Sequence, residues 1–377
     1  MKKINILFAV LFSVCAAFAR AQNIEELFER GKNDFETAQR YVNRERFKRI
    51  EADDMKPQAA RSQWFYKSQK EVDDYINKNA VTADNARAAR VYASLFQQSD
   101  LLLMGERHEN DDGLKRIFLR LILDYNKQAD ALNYKKITDI FYENPSEDQQ
   151  ALDGAKTVAA LITADADKEA YCDFETKKYF KARGWSFEKQ PAIALLCVLN
   201  ASGVNVVFPD FNTYVDSSPR AAEYCEGHKR CLLCPSAHIS VVDDLGEKLR
   251  NALIFSKIKA AVDAGGKAVF LGGATHVGYG GIGRTVSLSD MAAVDLKDKA
   301  VYSVLTFYRA GALAPLTEKN NCEKCKKAVP LFLESFLPKL GNQFLKDKFK
   351  FILFVPENNT DAAYRSRPAD MLVLWPS

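Results

Sequence analysis

Residues 100–109 read DLLLMGERHE, an apolar run that ends at a glycine and is followed at once by charged side chains and a histidine. A short apolar run without polar alternation predicts a β-strand buried on both faces of a sheet. Residues 267–276, KAVFLGGATH, repeat the arrangement. Each strand is therefore predicted to end in a Gly-x-x-His motif, which brings ionisable side chains to the end of a buried strand.

Further apolar stretches alternate with helical patterns on either side of these two. Alternating strands and helices predict an α/β fold, with a mostly parallel central sheet covered by helices. The additional strands are predicted at 137–143, 204–208, 301–308, 349–355 and 371–375, and the helices between them at 114–125, 147–183, 192–200 and 245–263.

The domain organisation follows from this pattern. The α/β domain is predicted over residues 99–377, interrupted by two insertions at about 212–240 and 311–346. Residues 22–98 have helical periodicity in a charged background, which predicts a helical extension packed on the main domain.

The first 21 residues have the composition of a secretory signal peptide. Lys2 and Lys3 precede an apolar run from Ile4 to Phe18, and small residues follow at the expected cleavage site. The run is too short for a stable membrane anchor, so we expect no transmembrane anchor after cleavage. The chain is predicted to be secreted across the inner membrane and to be periplasmic.

Composition excludes several classes of protein. The 377 residues are 47% hydrophobic and 27% charged, which excludes a disordered chain, a collagen or a coiled coil. The formal net charge of +4 is too small for a nucleic-acid-binding surface, so no nucleic acid is expected as a partner.

Ionisable side chains follow four of the predicted strands: Glu106 and His108 the first, Glu143 the second, Asp210 the third and His276 the fourth. Ligand sites in open α/β sheets lie outside the carboxyl ends of the strands. Two imidazoles with two carboxylates, Glu106 and Glu143, form a ligand set for Zn, Mn, Co or Fe. Such a metal would acidify a bound water, with either glutamate as catalytic base. Histidines that only form hydrogen bonds in loops are the alternative.

Three stretches also resemble a known family. LLLMGERHENDDGLKRIFLRLI, FYENPSEDQQALD and AVFLGGATHVGYGGIGRTV are similar to motifs of the ChaN-like haem-binding uptake family, within the wider Tiki, TraB and erythromycin-esterase group. The resemblance implies an exported protein that binds haem or iron in a strand-end cleft. A metal-dependent hydrolase, protease-like or esterase-like, that uses the same cleft is the alternative, and a scaffold with a degenerate site is a third.

The resemblance also implies roles for single residues. It places Glu106, His108, Glu143 and His276 around one cleft, with Arg284 as a partner for an anion or a haem propionate. Asp210 is expected near the ligand because it follows the third predicted strand. Tyrosine or histidine can bind haem iron, and Tyr279, Tyr142 and Tyr214 are all expected near the cleft, with no choice made among them. The implied partner is a small molecule such as haem, and a homodimer is left open.

Five of the eight cysteines lie in the two insertions. In an oxidising compartment we expect them to form disulfides, and a zinc site with four thiolate ligands is the alternative. Cys197 lies in an apolar helix and is predicted to be a buried free thiol. The disulfide candidates are Cys225, Cys231, Cys234, Cys322 and Cys325.

Overall fold

The structure is a computed structural model that describes residues 26, 29–48, 81–83, 85–106, 113–182, 192–211, 244–278, 286–308, 349–353 and 369–375. Several predictions fall outside these residues and stay predictions. They concern the signal peptide, both insertions with their five cysteines, and the three site candidates His108, Tyr279 and Arg284.

Eight strands of the described residues form one sheet in the order β1-β7-β8-β6-β2-β5-β3-β4. The six strands from β8 to β4 are parallel, whereas β7 and β1 are antiparallel at one edge. The predicted α/β class is confirmed, and all seven predicted strands are present. The strands are β1 (Val81–Ala83), β2 (Leu101–Glu106), β3 (Asp139–Tyr142), β4 (Asn205–Val207), β5 (Ala268–Gly273), β6 (Val301–Tyr308), β7 (Phe349–Leu353) and β8 (Met371–Trp375).

Helices cover both faces of this sheet. One face packs against α2 to α6 and contains a large apolar core; we call it the α3 face. The other packs against α7 to α9, with α1 outside them, and we call it the α7 face. No helix in the described part of the chain has both the length and the apolar character to cross a bilayer. Besides a short helical turn over 45–48 and a 3-10 turn at Ser146–Asp148, the helices are α1 (29–42), α2 (Asn85–Gln98), α3 (Gly113–Ala129), α4 (Gln149–Leu161), α5 (Asp165–Ala182), α6 (Ala192–Ala201), α7 (Asp244–Asp263), α8 (Ala274–Val277) and α9 (Leu288–Asp295).

Alternation along the strands decides which face each strand-end side chain joins. On β2, Met104 lies in the core of the α3 face, whereas a Cβ added at Gly105 would lie 2.9 Å from the backbone of α8. Since successive side chains point to opposite faces, Glu106 returns to the α3 face. On β3, Tyr142 belongs to the core of the α3 face, so Glu143 turns to the α7 face.

The N-terminal extension is helical over 29–42, as predicted, and it packs on the α7 face. The Tyr41 hydroxyl donates a hydrogen bond of 2.8 Å to Asp295, and its ring centroid lies 5.7 Å from that of Phe255 on α7. β1 departs from the all-helical expectation for residues 22–98, because it pairs with β7 at the sheet edge. Three residues are too few to show a period, so no sequence pattern indicated this strand.

A disulfide links α5 to α6 on the α3 face. Cys172 and Cys197 have their Cα atoms 5.7 Å apart, and both side chains are fully buried. The prediction that Cys197 is buried is confirmed, but the prediction that it is a free thiol is wrong. Packing of the two helices brings Cys172 against it, across a sequence separation of 25 residues that no motif reveals.

Candidate functional site

Glu143 lies directly after β3, at the carboxyl edge of the sheet on the α7 face, and its side chain is 8% exposed. It extends across the neighbouring strand β5. A Cβ added at Gly272 would lie 2.9 Å from the Glu143 Cβ, so only glycine leaves room for the glutamate there. The backbone N–H of Gly273 donates a hydrogen bond of 2.6 Å to Glu143 Oε2. The end of β5 therefore both makes room for this carboxylate and holds it.

His276 lies on α8, the single helical turn that follows β5, and its side chain is 3% exposed. Its Nε2 atom lies 3.0 Å from Glu143 Oε1. Its Nδ1 atom contacts Oδ1 of Asn251, which projects from α7. The ends of β3 and β5 thus bring two of the predicted site residues, Glu143 and His276, into direct contact.

Asn251 determines how the His276 ring is hydrogen-bonded. Asn251 is fully buried, and its Nδ2 donates a hydrogen bond of 2.9 Å to the carbonyl oxygen of Val286. A carbonyl can only accept, so the NH₂ group faces Val286 and the Oδ1 atom faces the ring. The Nδ1–H of His276 is therefore the donor to Asn251, and Nε2 is the nitrogen that faces Glu143.

Arg250, the residue before Asn251 on α7, connects two carboxylates. Its Nη2 donates to Glu143 Oε1 at 2.9 Å, and its Nε lies 3.0 Å from Asp210 Oδ1 and 3.1 Å from Oδ2. Burial lowers the pKa of Arg250, but Asp210 and Glu143 raise it by more, so the net shift is upward. Arg250 is held as a permanent cation between the two acids.

Asp210 reaches this position through the strand ends. Pro145 and Asp210 form an isolated parallel bridge that continues the β3–β4 pairing, and the Asp210 N–H donates to the carbonyl oxygen of Asn144 at 3.3 Å. The sequence analysis expects Asp210 near the ligand. In the structure, Arg250 forms ion pairs with both carboxylates, so Asp210 is connected to Glu143 through the Arg250 guanidinium.

The cluster formed by Glu143, Asp210, Arg250 and His276 has one negative charge in excess when the imidazole is neutral. Lys257 lies close by, but it is matched by Asp34 at 3.0 Å and donates to the Pro209 carbonyl oxygen. Burial raises the pKa of Asp34, and Lys257 opposes that shift. Among these four side chains, a proton or a metal cation beside Nε2 would offset the net negative charge and so favour the buried cluster.

Glu106 lies on the other face, away from this cluster. It is 3% exposed and forms an ion pair of 3.1 Å with Lys115 of α3, whose Nζ lies 5.7 Å from the ring centroid of Tyr142. The sequence analysis expects Glu106 beside Glu143 and His276. The alternation of side chains along β2 directs it to the α3 face instead.

Two metal donors come together in the described residues, the Nε2 of His276 and the Oε1 of Glu143. Within that part of the chain, no group of three His, Cys, Asp or Glu side chains is arranged to hold a metal ion. His108, the second predicted imidazole, lies outside it, as do Tyr279 and Arg284.

Sequence analysis missed Arg250, Asn251 and Lys115. All three lie inside helices, where a polar residue is the common case and no motif marks one as buried. The two adjacent polar residues between Leu249 and Ala252 were the available indication of buried polar side chains in this helix. An exposed helix face gives the same pattern.

Comparisons with known proteins give a distant likeness. No protein-family model matches the chain, and no curated protein matches it. A solved structure described as cofacial heme binding to ChaN of Campylobacter jejuni matches over 62% of this chain and 92% of that chain, with 14% identity and a TM-score of 0.35. At these values the likeness concerns the fold alone, and it assigns neither a ligand nor a residue role to this chain.

Proposed function

We propose that this protein binds haem iron, or a divalent transition metal ion, through the Nε2 atom of His276 at the carboxyl edge of the sheet. The observation that carries the proposal is the His276–Glu143 contact of 3.0 Å, with the other ring nitrogen held by Asn251. Histidines that bind metals typically donate their second ring N–H to a fixed acceptor, which orients the ring. The donors present therefore suit a metal of this class.

The charge of the cluster supports a cationic ligand. The two carboxylates and the Arg250 guanidinium together have a net negative charge, which a metal ion beside Nε2 would offset. Glu143 would act as the second ligand of that ion. Haem iron would need only the imidazole as an axial ligand. Arg284 and Tyr279, as partners for a propionate or the iron, stay predictions from the resemblance.

The hydrogen bonds of Glu143 favour binding over hydrolysis. A general base needs a lone pair directed at the proton it removes. Glu143 accepts from Gly273 through Oε2 and from Arg250 through Oε1, and Oε1 also faces Nε2 of His276, where it would bind the metal and not a substrate proton. Glu106, the other candidate base, is paired with Lys115. The metal-dependent hydrolase is therefore the second candidate.

The site of action that we propose is the periplasm. The signal-peptide pattern of residues 1–21 supports it, and so does the Cys172–Cys197 disulfide, because disulfides form and persist in oxidising compartments. Mass spectrometry of the protein recovered from the periplasmic fraction should find an N-terminus near residue 22. A full-length chain confined to the cytoplasm would refute this proposal.

Titration of the purified protein tests the ligand. Haemin and, separately, Zn²⁺, Mn²⁺, Co²⁺ and Fe²⁺ should bind the parent, and His276→Ala should bind at least about tenfold more weakly. A Soret band identifies haem, and stoichiometric metal without that band identifies an ion. His228→Ala and His238→Ala are the matched controls and should bind as the parent does. Equal binding by His276→Ala would refute imidazole ligation at this position.

A further inference from the structure

Asn251 has no charge and matches no motif, yet it is one of the most enclosed polar residues of the α7 face. It is 0% exposed, and both ends of its amide are used: Nδ2 donates to Val286, and Oδ1 accepts from His276. Because the backbone carbonyl of Val286 fixes the orientation of the amide, the acceptor directed at His276 is fixed as well.

The His276 ring lies between two acceptors of unequal strength. The Glu143 carboxylate faces Nε2 and the Asn251 amide oxygen faces Nδ1. Glu143 Oε1 already accepts from Arg250, and the shorter contact joins Nδ1 to Asn251 Oδ1, so a neutral ring keeps its single proton on Nδ1. In the absence of Asn251 the Glu143 carboxylate would be the acceptor that remains in this contact set, and the proton would move to Nε2, directed at Glu143. That tautomer has no lone pair on Nε2, and it would close the nitrogen that the proposed ligand uses.

We infer that Asn251 is a positioning residue that keeps a proton on Nδ1 of His276 and so leaves Nε2 to the ligand. It acts through the ring and touches no ligand itself. Its effect on binding rests on the proposed function, whereas its effect on the ring proton does not. The hydrogen-bond geometry alone therefore predicts the position of the proton in the protein without ligand.

Nitrogen-15 NMR of the ligand-free full chain tests the position of the proton, with the His276 signals assigned by their loss in His276→Gln. The parent should show a protonated Nδ1. Asn251→Leu, which has nearly the same size and no acceptor, should lose the Nδ1–H signal and gain an Nε2–H signal. Asn251→Asp restores an oxygen facing the ring, so it should recover the Nδ1–H signal, although it loses the donor to Val286.

Asn200→Leu is the matched control, because it makes the same change at a buried asparagine of α6 on the α3 face. It should leave the His276 signals unchanged. An unprotonated Nδ1 or a protonated Nε2 in the parent, or an unchanged Nδ1–H in Asn251→Leu, would overturn the inference. If Asn251→Leu does not fold, the parent and Asn251→Asp spectra still decide it.

Binding separates this inference from the proposed function. With haemin or Zn²⁺ as the probe, Asn251→Leu should bind about 10–100-fold more weakly than the parent, and Asn251→Asp should recover part of the loss. A parent that shows the Nδ1–H signal but binds neither probe would refute the proposed function and leave the positioning of the proton intact. A parent that binds both probes through His276 but lacks the Nδ1–H would refute the positioning alone.

Discussion

The two faces of the sheet each bury a cation at the carboxyl edge, and they differ in what surrounds it. On the α3 face, Lys115 meets one carboxylate, Glu106, at 3.1 Å, and the pair is neutral. On the α7 face, Arg250 meets two carboxylates, and one of them also contacts the His276 imidazole. Among the side chains that the structure describes at each place, the first pair sums to zero charge and the second cluster to one negative charge. The second cluster also contains the His276 imidazole, so the candidate site belongs to the α7 face.

A third buried cation shows that the partner, and not burial alone, sets the direction of a pKa shift. Lys267 is 3% exposed and donates to the backbone carbonyl oxygens of Phe96 and Gln97 at the end of α2. Burial, with Lys135 nearby, lowers the pKa of Lys267 to about 8. Arg250 is also buried, but its two carboxylates shift its pKa upward.

The largest effect on stability is expected from Arg250→Met. The substitution keeps a long side chain but leaves Glu143 and Asp210 buried without their shared cation. Removing one partner of a buried ionic network typically lowers the free energy of unfolding by about 3–5 kcal/mol. Urea unfolding of the parent and the variant measures this difference.

Lys115→Met is the matched substitution on the other face. It removes the cation from one carboxylate, Glu106, whereas Arg250→Met removes it from two. It should lower the free energy of unfolding by less than Arg250→Met does. Adding Asp210→Asn to Arg250→Met should restore part of the loss, because one of the two uncompensated charges is removed. An equal or larger loss in Lys115→Met would contradict the contrast between the two faces.

The sequence predicted the strands well because buried parallel strands form nearly continuous apolar runs. The same property hid the face to which Glu106 belongs. In Leu101 to Met104 every residue is apolar, so no alternation of polar and apolar residues shows which face is which. Glu143 and His276 were predicted together because both follow strand ends, and the carboxyl ends of parallel strands lie at one edge.

The remaining site residues could not be predicted because they depend on tertiary packing. Arg250 and Asn251 come from α7, about a hundred residues after Glu143 in the chain, and only the fold places them against it. The Cys172–Cys197 pair was missed for the same reason. Strand ends can be located from local sequence, whereas the helix that packs over them supplies partners that no local pattern indicates.

The disulfide sharpens the comparison, because it cross-links helices of the α3 face only. Opening a loop of 25 residues should lower the free energy of unfolding by about 3 kcal/mol. The double variant Cys172→Ala/Cys197→Ala measures this loss in urea, compared with the parent under non-reducing conditions. The affinity for haemin or Zn²⁺ should not change, since the cysteines lie across the sheet from His276. A large loss of affinity in a folded double variant would show that the two faces are coupled.

The smallest effect is expected from the titration of Lys267, which tests the claim that a buried cation held by backbone carbonyls has a lowered pKa. Its pKa of about 8 in the fold lies below its ordinary value of 10.5. Between these values the unfolded chain binds more protons than the folded chain does, so the free energy of unfolding should rise with pH in this window.

From about pH 8 to 9.5 the free energy of unfolding of the parent should rise by about 1–2 kcal/mol relative to that of Lys267→Met, in which the group is absent. Taking the difference between the two proteins cancels the other groups that titrate there. Parallel curves for the parent and Lys267→Met would mean that Lys267 is solvated as an ordinary lysine, and the contrast with Arg250 would then fail.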